Sequence, residues 1–249
     1  MPTVADFDPD AYPEAMHSMA TVAEHRAVQT LAKEVLEELA STIGAEDTEF
    51  SIASRATEAL AQRGLTETWY HNCPAFVLLG NRSCLSISGR EYRPALEEVG
   101  QVNLVTVDLS PKRNEIWGDC ARSFFIEGGR HTSRPTLPEF REGARFLKFL
   151  HDEMTQFVDT HTTFHQLFEW ANREILAAGF ENLDFAGNVG HSIETSPEKR
   201  RYIETANKMR LSEVPLFTFE PHVRRVSGRW GLKHENIYYF GSAQTIEQL

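Results

Sequence analysis

Five side chains of this protein could share a pair of divalent cations. In order along the chain they are Asp108, Asp119, His191, Glu220 and Glu235. Oxygen ligands with one imidazole suit hard or borderline ions, and four carboxylates can hold two such ions side by side. A pair held that way can generate hydroxide at neutral pH. Singly, each candidate is weak, because an Asp at a strand end is usually a turn former and a His after Gly usually a satisfied loop residue. Context strengthens them. Val105-Thr106-Val107-Asp108 and Leu216-Phe217-Thr218-Phe219-Glu220 are apolar runs that each end on a carboxylate. Burying such a charge is costly unless something positive receives it. No Arg or Lys stands just before Asp108, Asp119 or Glu220 in those runs, so a metal pair is the expected partner.

The elements that must position these residues follow from hydrophobic period. Residues 1–16 are acidic and carry Pro2, Pro9 and Pro13, which predicts an irregular arm. Val28, Leu31, Val35, Leu36, Leu39 and Ile43 recur at helical spacing and predict a helix over 19–43, stopped at Gly44. A second helix is expected over 49–62, ended by Gly64. The period then changes to that of strands over 67–79 and 83–88, joined by a Gly80-Asn81 turn. A polar loop spans 89–100. Strands at 101–109 and 115–126 flank a turn at Pro111-Lys112-Arg113-Asn114. Helices are expected over 137–159 and 165–178, then a loop over 187–197 carrying His191. Strands over 215–222 and 232–240 close the chain. Helices, strands, helices, strands make an α+β protein whose halves echo each other without a sequence repeat.

Bulk properties exclude several classes. A chain of 249 residues with 41% hydrophobic content suits one large domain, or one domain with a small helical cap. The formal net charge of −11 argues against a nucleic-acid partner. Cys73, Cys84 and Cys120 form no Cys-x-x-Cys pair, which predicts reduced thiols in a cytoplasmic protein. There is no basic region followed by an apolar stretch at the N-terminus and no run of 18 apolar residues, so neither a signal peptide nor a membrane span is expected.

Five segments resemble the ligand motifs of the pita-bread metallopeptidases, the family of methionine aminopeptidases, Xaa-Pro aminopeptidases, prolidases and creatinase-like enzymes. They are Thr106-Val107-Asp108, Gly118-Asp119-Cys120-Ala121-Arg122-Ser123-Phe124, Gly190-His191-Ser192-Ile193, Phe217-Thr218-Phe219-Glu220-Pro221 and Glu235-Asn236. The likeness runs from about Trp69 to Phe240. Arg122, three residues after Asp119, and the stretch from Trp69 to Arg82 look more like the Xaa-Pro branch. The resemblance implies a pita-bread fold with a short helical N-terminal extension: an arm and helices over 1–64, packing on a catalytic domain over 65–249. It also implies an aminopeptidase-like dinuclear hydrolase that cleaves a peptide or small amide bond. In that picture Asp108 chelates one ion, Asp119 and Glu235 bridge both, and His191 and Glu220 complete the other shell. Glu220 would also accept a proton from the attacking water. Bridging carboxylates hold such ions roughly 3.5–4 Å apart. The shell favours Mn, Co, Fe or Zn. Arg122, His222 and His234 are the implied substrate contacts.

Departures from the family pattern narrow these expectations. Xaa-Pro enzymes carry a further histidine several residues after the one matching His191; here that region is Glu194-Thr195-Ser196-Pro197-Glu198-Lys199. Their Gly-x-Arg-x-Glu is Gly231-Leu232-Lys233-His234-Glu235, with Lys for Arg. Another catalytic-site histidine should fall near Cys84 to Ile87, where none exists, and His71 is the candidate substitute. These losses touch substrate binding and proton shuttling more than metal binding, and they argue against strict proline specificity. The segment before the first strand is shorter than the N-terminal domain of prolidases, which predicts a more open site or a different substrate. Two rival readings are a hydrolase of non-peptide amides in small-molecule metabolism and a non-catalytic binding module. The basic run Lys199-Arg200-Arg201 could meet a substrate carboxylate, although a solvated surface is the default. Expected partners are a peptide or small amide substrate and a possible homodimer mate, with no nucleic acid and no membrane.

Overall fold

A computed structural model describes residues 11–249, with side chains from residue 21 onward. Two helices open it, α1 (Ala11–Thr42) and α2 (Glu49–Gln62). Thr48 caps α2: its hydroxyl accepts from the Ser51 N–H while Ser51 returns the bond to the Thr48 backbone. The strands β1 (Glu67–Thr68), β2 (Ala75–Leu79), β3 (Val102–Leu109), β4 (Pro111–Arg113), β5 (Ile116–Trp117), β6 (Cys120–Glu127) and β7 (Arg130–His131) follow. A second helix pair comes next, α3 (Pro138–Phe157) and α4 (Phe164–Ala177). The chain closes through β8 (Phe180–Asn182), β9 (Ser192–Ile193), β10 (Leu216–Phe219), β11 (His222–Arg225), β12 (Gly231–Lys233), β13 (Asn236–Phe240) and β14 (Ile246–Gln248).

Two four-stranded antiparallel sheets organise the molecule, β2-β3-β6-β7 and β14-β13-β10-β9, with smaller sheets β12-β11-β8 and β1-β4-β5. Each helix pair covers its own strands. Val35, Leu39, Ile52 and Leu60 of α1 and α2 pack on Val77, Val105, Val107 and Phe124. Leu147, Leu150, Leu167 and Ile175 of α3 and α4 pack on Phe217, Phe219, Val223 and Leu232. Strand alternation divides β3 between these cores, Val105 and Val107 facing the first and Leu104 the second. Cys120 belongs to the first core. All three cysteines are free thiols.

Several expected boundaries move. α1 already runs from Ala11, with Pro13 tolerated in its first turn; the rest of the expected arm, residues 1–10, lies outside the described residues. No strand forms over 83–88. Residues Gly80–Cys84 make a 3-10 turn instead, because the polar groups of Ser83 are taken by the second half of the molecule. Its carbonyl accepts from His222 Nε2 at 2.7 Å and its hydroxyl from the Gly231 N–H at 2.9 Å. The expected 67–79 strand is broken between β1 and β2, where His71 and Asn72 adopt φ values of 47° and 56°. The expected turn at Pro111 pairs as β4 with β1 and β5. β8 and β14, three residues each, are too short to leave a periodic trace. Among the described residues no helix is long and apolar enough to cross a membrane.

Candidate metal centre

The five ligand candidates meet at strand ends drawn from both halves. Asp108 is the penultimate residue of β3, and Asp119 precedes β6. Antiparallel pairing sets Asp108 against Ala121, beside Asp119. His191 precedes β9, Glu220 joins β10 to β11, and Glu235 joins β12 to β13. The Glu235 N–H donates to the Ala121 carbonyl at 3.0 Å, which ties the two halves together at the site. Gly190 holds φ at 147°, and a Cβ there would collide with the Thr218 carbonyl, so only glycine lets the His191 loop lie this close to β10.

His191 Nε2 lies 3.3 Å from Asp119 Oδ2 and 3.7 Å from Glu220 Oε1. Ligand atoms of Asp119, His191 and Glu235 all fall within 4.8 Å of one another. Asp119 Oδ2 and both carboxylate oxygens of Glu235 are buried with no hydrogen-bond partner. Buried carboxylate oxygens facing an imidazole nitrogen, with no donor of their own, form a donor set that fits a divalent cation. The separations also fit: bonds of about 2.0–2.2 Å place neighbouring ligands roughly 3–3.6 Å apart. Burial pushes the Asp119 carboxyl up to about 7, helped by the charge of Asp108. Burial and the Asp119 charge lift Glu235 well above the usual carboxylate range. Burial draws His191 down, but the Asp119 carboxylate 3.3 Å away and the Glu220 charge outweigh it and raise the imidazole.

The other side of the cluster already holds a cation. Lys233 Nζ sits 2.6 Å from Asp108 Oδ2, 3.0 Å from Glu220 Oε2 and 3.9 Å from Glu235 Oε2. Burial alone would lower the ammonium pKa, but Asp108, Glu220 and Glu235 raise it well above its usual value. Burial pushes Glu220 up, and the Lys233 and His191 charges bring it below the usual range. The strands that carry these carboxylates hold no basic residue just before them, as read from the sequence, yet a basic partner is present. The partner arrives from β12 across the site, not from the strands that carry Asp108 and Glu220.

Of the other predicted site residues, only His222 lines the cavity above the carboxylates, an opening of about 460 Å³. The His222 imidazole is committed to the Ser83 carbonyl. Arg122 points elsewhere: it donates to the carbonyls of Ala121 and Glu235 and to Asn236 Oδ1, bracing the backbone beneath the site. His234 packs against the ring of His151 at 4.6 Å and bonds to Asn236. His71 lies on a separate depression beside Arg90, whose Nε donates to its Nδ1 at 3.2 Å. Four residues of the site went unassigned in the sequence. Gln29 of α1 bonds both backbone groups of Asp119, donating to its carbonyl at 2.7 Å and accepting from its N–H at 2.9 Å. Trp69, Tyr202 and Arg200 form a cavity wall, with the Arg200 guanidinium 4.7 Å above the Trp69 ring and 5.7 Å from that of Tyr202. Trp69 in turn meets His191 edge-on at 5.6 Å. Only the basic run around Arg200 left any trace.

The family model for metallopeptidase family M24 matches residues 23–241. No curated protein matches the chain. Among solved structures, an X-Pro aminopeptidase from Thermotoga maritima is 18% identical with a TM-score of 0.76, over 92% of this chain and 60% of that one. A prolidase from Thermococcus sibiricus gives 16% and 0.74, over 92% and 58%. A prolidase from Pyrococcus furiosus gives 15% and 0.73, over 92% and 63%. The chain thus spans about 60% of the length of these structures. At such identities the likeness establishes the pita-bread fold.

Proposed function

The chain belongs to metallopeptidase family M24, and from that premise we propose that it is a metal-dependent hydrolase cleaving a peptide or small amide bond in aminopeptidase fashion. One observation carries the reading: the partnerless buried oxygens of Asp119 and Glu235 beside His191 Nε2, at the base of a cavity large enough for a small substrate. Asp108, Asp119, His191, Glu220 and Glu235 are the residues that would hold divalent metal, drawn from Mn, Co, Fe or Zn. A bound divalent ion supplies Lewis acidity toward a carbonyl and a nucleophile at neutral pH.

The protein's own groups divide the remaining work. Glu220 is the proton acceptor: Lys233 keeps it ionised, and its Oε1 is held by the Thr218 hydroxyl at 3.3 Å. His191 keeps its orientation by donating from Nδ1 to the Ser192 carbonyl at 3.0 Å, which leaves Nε2 for the ion. The aromatic wall of Trp69, Tyr70, Phe76 and Tyr202 supplies apolar surface to a substrate. Arg200 stands where a substrate carboxylate would be received. A dipeptide or acyl-amino acid fits a cavity of about 460 Å³ lined this way.

The test is direct. Protein purified without chelator is assayed for bound metal by mass spectrometry. It is then tested on dipeptides and amides with added Mn, Co, Fe or Zn. Metal-dependent cleavage is expected; absence of bound metal together with absence of turnover on every substrate would overturn the reading.

A further inference from the structure

Lys233 sets a limit on how many ions this centre accepts. Its ammonium lies within bonding distance of Asp108 Oδ2 and Glu220 Oε2 and faces Glu235 Oε2. The oxygens without a hydrogen-bond partner are Asp119 Oδ2 and both oxygens of Glu235, and of these only Glu235 Oε2 faces the ammonium, at 3.9 Å; Asp119 Oδ2 lies on the far side, next to His191. The cluster therefore has one region short of a cation and one region already supplied with one. We propose that the Lys233 ammonium is a built-in second cation, so that the centre binds a single divalent ion at Asp119, His191, Glu220 and Glu235 while Asp108 serves the ammonium. This rests on the metal-centre reading above and replaces a two-ion centre with a hybrid of one ion and one ammonium.

The residue type suits that role. Lysine carries a compact point charge with three hydrogens that can be shared among several carboxylates, whereas arginine spreads its charge over a planar fork. A second ion would have to sit beside the ammonium and take Asp108 from it. Both changes oppose entry, because like charges at close range repel strongly where water is excluded. Lys233 is also fixed from behind. Its backbone N–H donates to Ser123 Oγ at 2.8 Å, and the Ser123 hydroxyl donates back to the Lys233 carbonyl at 3.0 Å. The side chain thus emerges from a point locked between β12 and β6.

The experiment counts ions on the whole chain. Wild-type protein is equilibrated with excess Mn²⁺, freed of unbound ion and measured by elemental mass spectrometry and by electron paramagnetic resonance. One ion per chain with the spectrum of an isolated Mn²⁺ is expected. Lys233→Met removes the ammonium and keeps the stem, and it should take up a second ion and give an exchange-coupled spectrum. Two ions with a coupled spectrum in wild type would overturn the proposal and leave the metal centre standing. A single ion in both proteins would overturn it as well, since Lys233 would not be what excludes the second. No bound ion in either would defeat the metal-centre reading itself. Should Lys233→Met fail to fold, the wild-type count and spectrum decide alone.

Discussion

Gln29→Leu should damage the metal centre from a helix that contributes no ligand. Gln29 is fully buried and completes both backbone bonds of Asp119 in the gap between β5 and β6, where no strand partner does so. A Cβ at Gly118 would fall 2.9 Å from Gln29 Oε1, a sign of how closely the helix approaches here. Leucine has similar bulk but leaves a buried N–H and a buried carbonyl unpaired. Each such group costs about 1–3 kcal/mol, and the added apolar burial offsets roughly 1 kcal/mol, so a net loss of about 3 kcal/mol follows. At roughly 2–4 °C per kcal/mol for a chain of this length, the metal-free Tm should fall by about 6–12 °C. Asp119 would also lose its fixed position, and metal affinity should drop about 10–100-fold, as when supporting groups of a metal site are removed. Thermal melts followed by circular dichroism, with and without Mn²⁺, give both quantities, and Gln29→Glu is a useful companion because it keeps the acceptor for the Asp119 N–H. A stability loss under about 1 kcal/mol with unchanged metal affinity would refute the argument, since an unpaired buried amide cannot be that cheap.

Stability of the chelated protein should fall as pH rises from about 4 toward 7. Asp119 titrates near 3.8 when unfolded and is raised to about 7 by burial, so the folded state binds the extra proton across that window and loses its benefit above it. Saturating metal should flatten or reverse the trend, and a metal-free melt series that rises with pH would contradict it. Glu235→Gln should abolish turnover and the metal-induced Tm increase while leaving the metal-free Tm equal or higher, because a buried carboxylate without a partner is removed; a large drop in the metal-free Tm would count against this. Arg200→Ala should raise KM about tenfold for substrates with a free carboxylate near the scissile bond and spare their amide-capped forms; equal effects on both would remove Arg200 from recognition. Turnover of Xaa-Pro dipeptides should be weak, by roughly 10²–10⁴ per missing proton donor, and efficient selective proline cleavage measured as kcat/KM would show that other groups have replaced the absent histidines.

The five ligand candidates were legible because Asp108 and Glu220 close apolar runs and the others sit in turns beside short strands, places marked by local period and turn residues. The runs of Val, Thr and Phe that end at Asp108 and Glu220 singled these two out as buried carboxylates in need of a partner. α2 falls where the sequence placed it, over 49–62 and ended by Gly64, and the Thr48 cap seen in the structure fixes its start. The missing information concerns partners far apart in sequence. Lys233 lies 125 positions from Asp108, and Gln29 lies 90 from Asp119, so no local pattern announces either contact. Side-chain direction was the other gap. Arg122 and His234 sit within a few residues of ligands, yet both turn toward the backbone and core beneath the site. Their chemistry suggested substrate contact, and which way they pointed depended on how β6 docks on β13.

The ligands belong to two separately packed halves, and this has a consequence for the life of the chain. Asp108 and Asp119 leave the ribosome long before His191, Glu220 and Glu235, and none of them alone makes a tight site. In the metal centre proposed above, capture of the ion would be a late event in biogenesis, after both halves have collapsed and met. An ion held there would require that both halves of the polypeptide had been made and assembled. By the same logic, release of the ion would be an early sign that the halves have begun to part, well before either hydrophobic core opens to proteases.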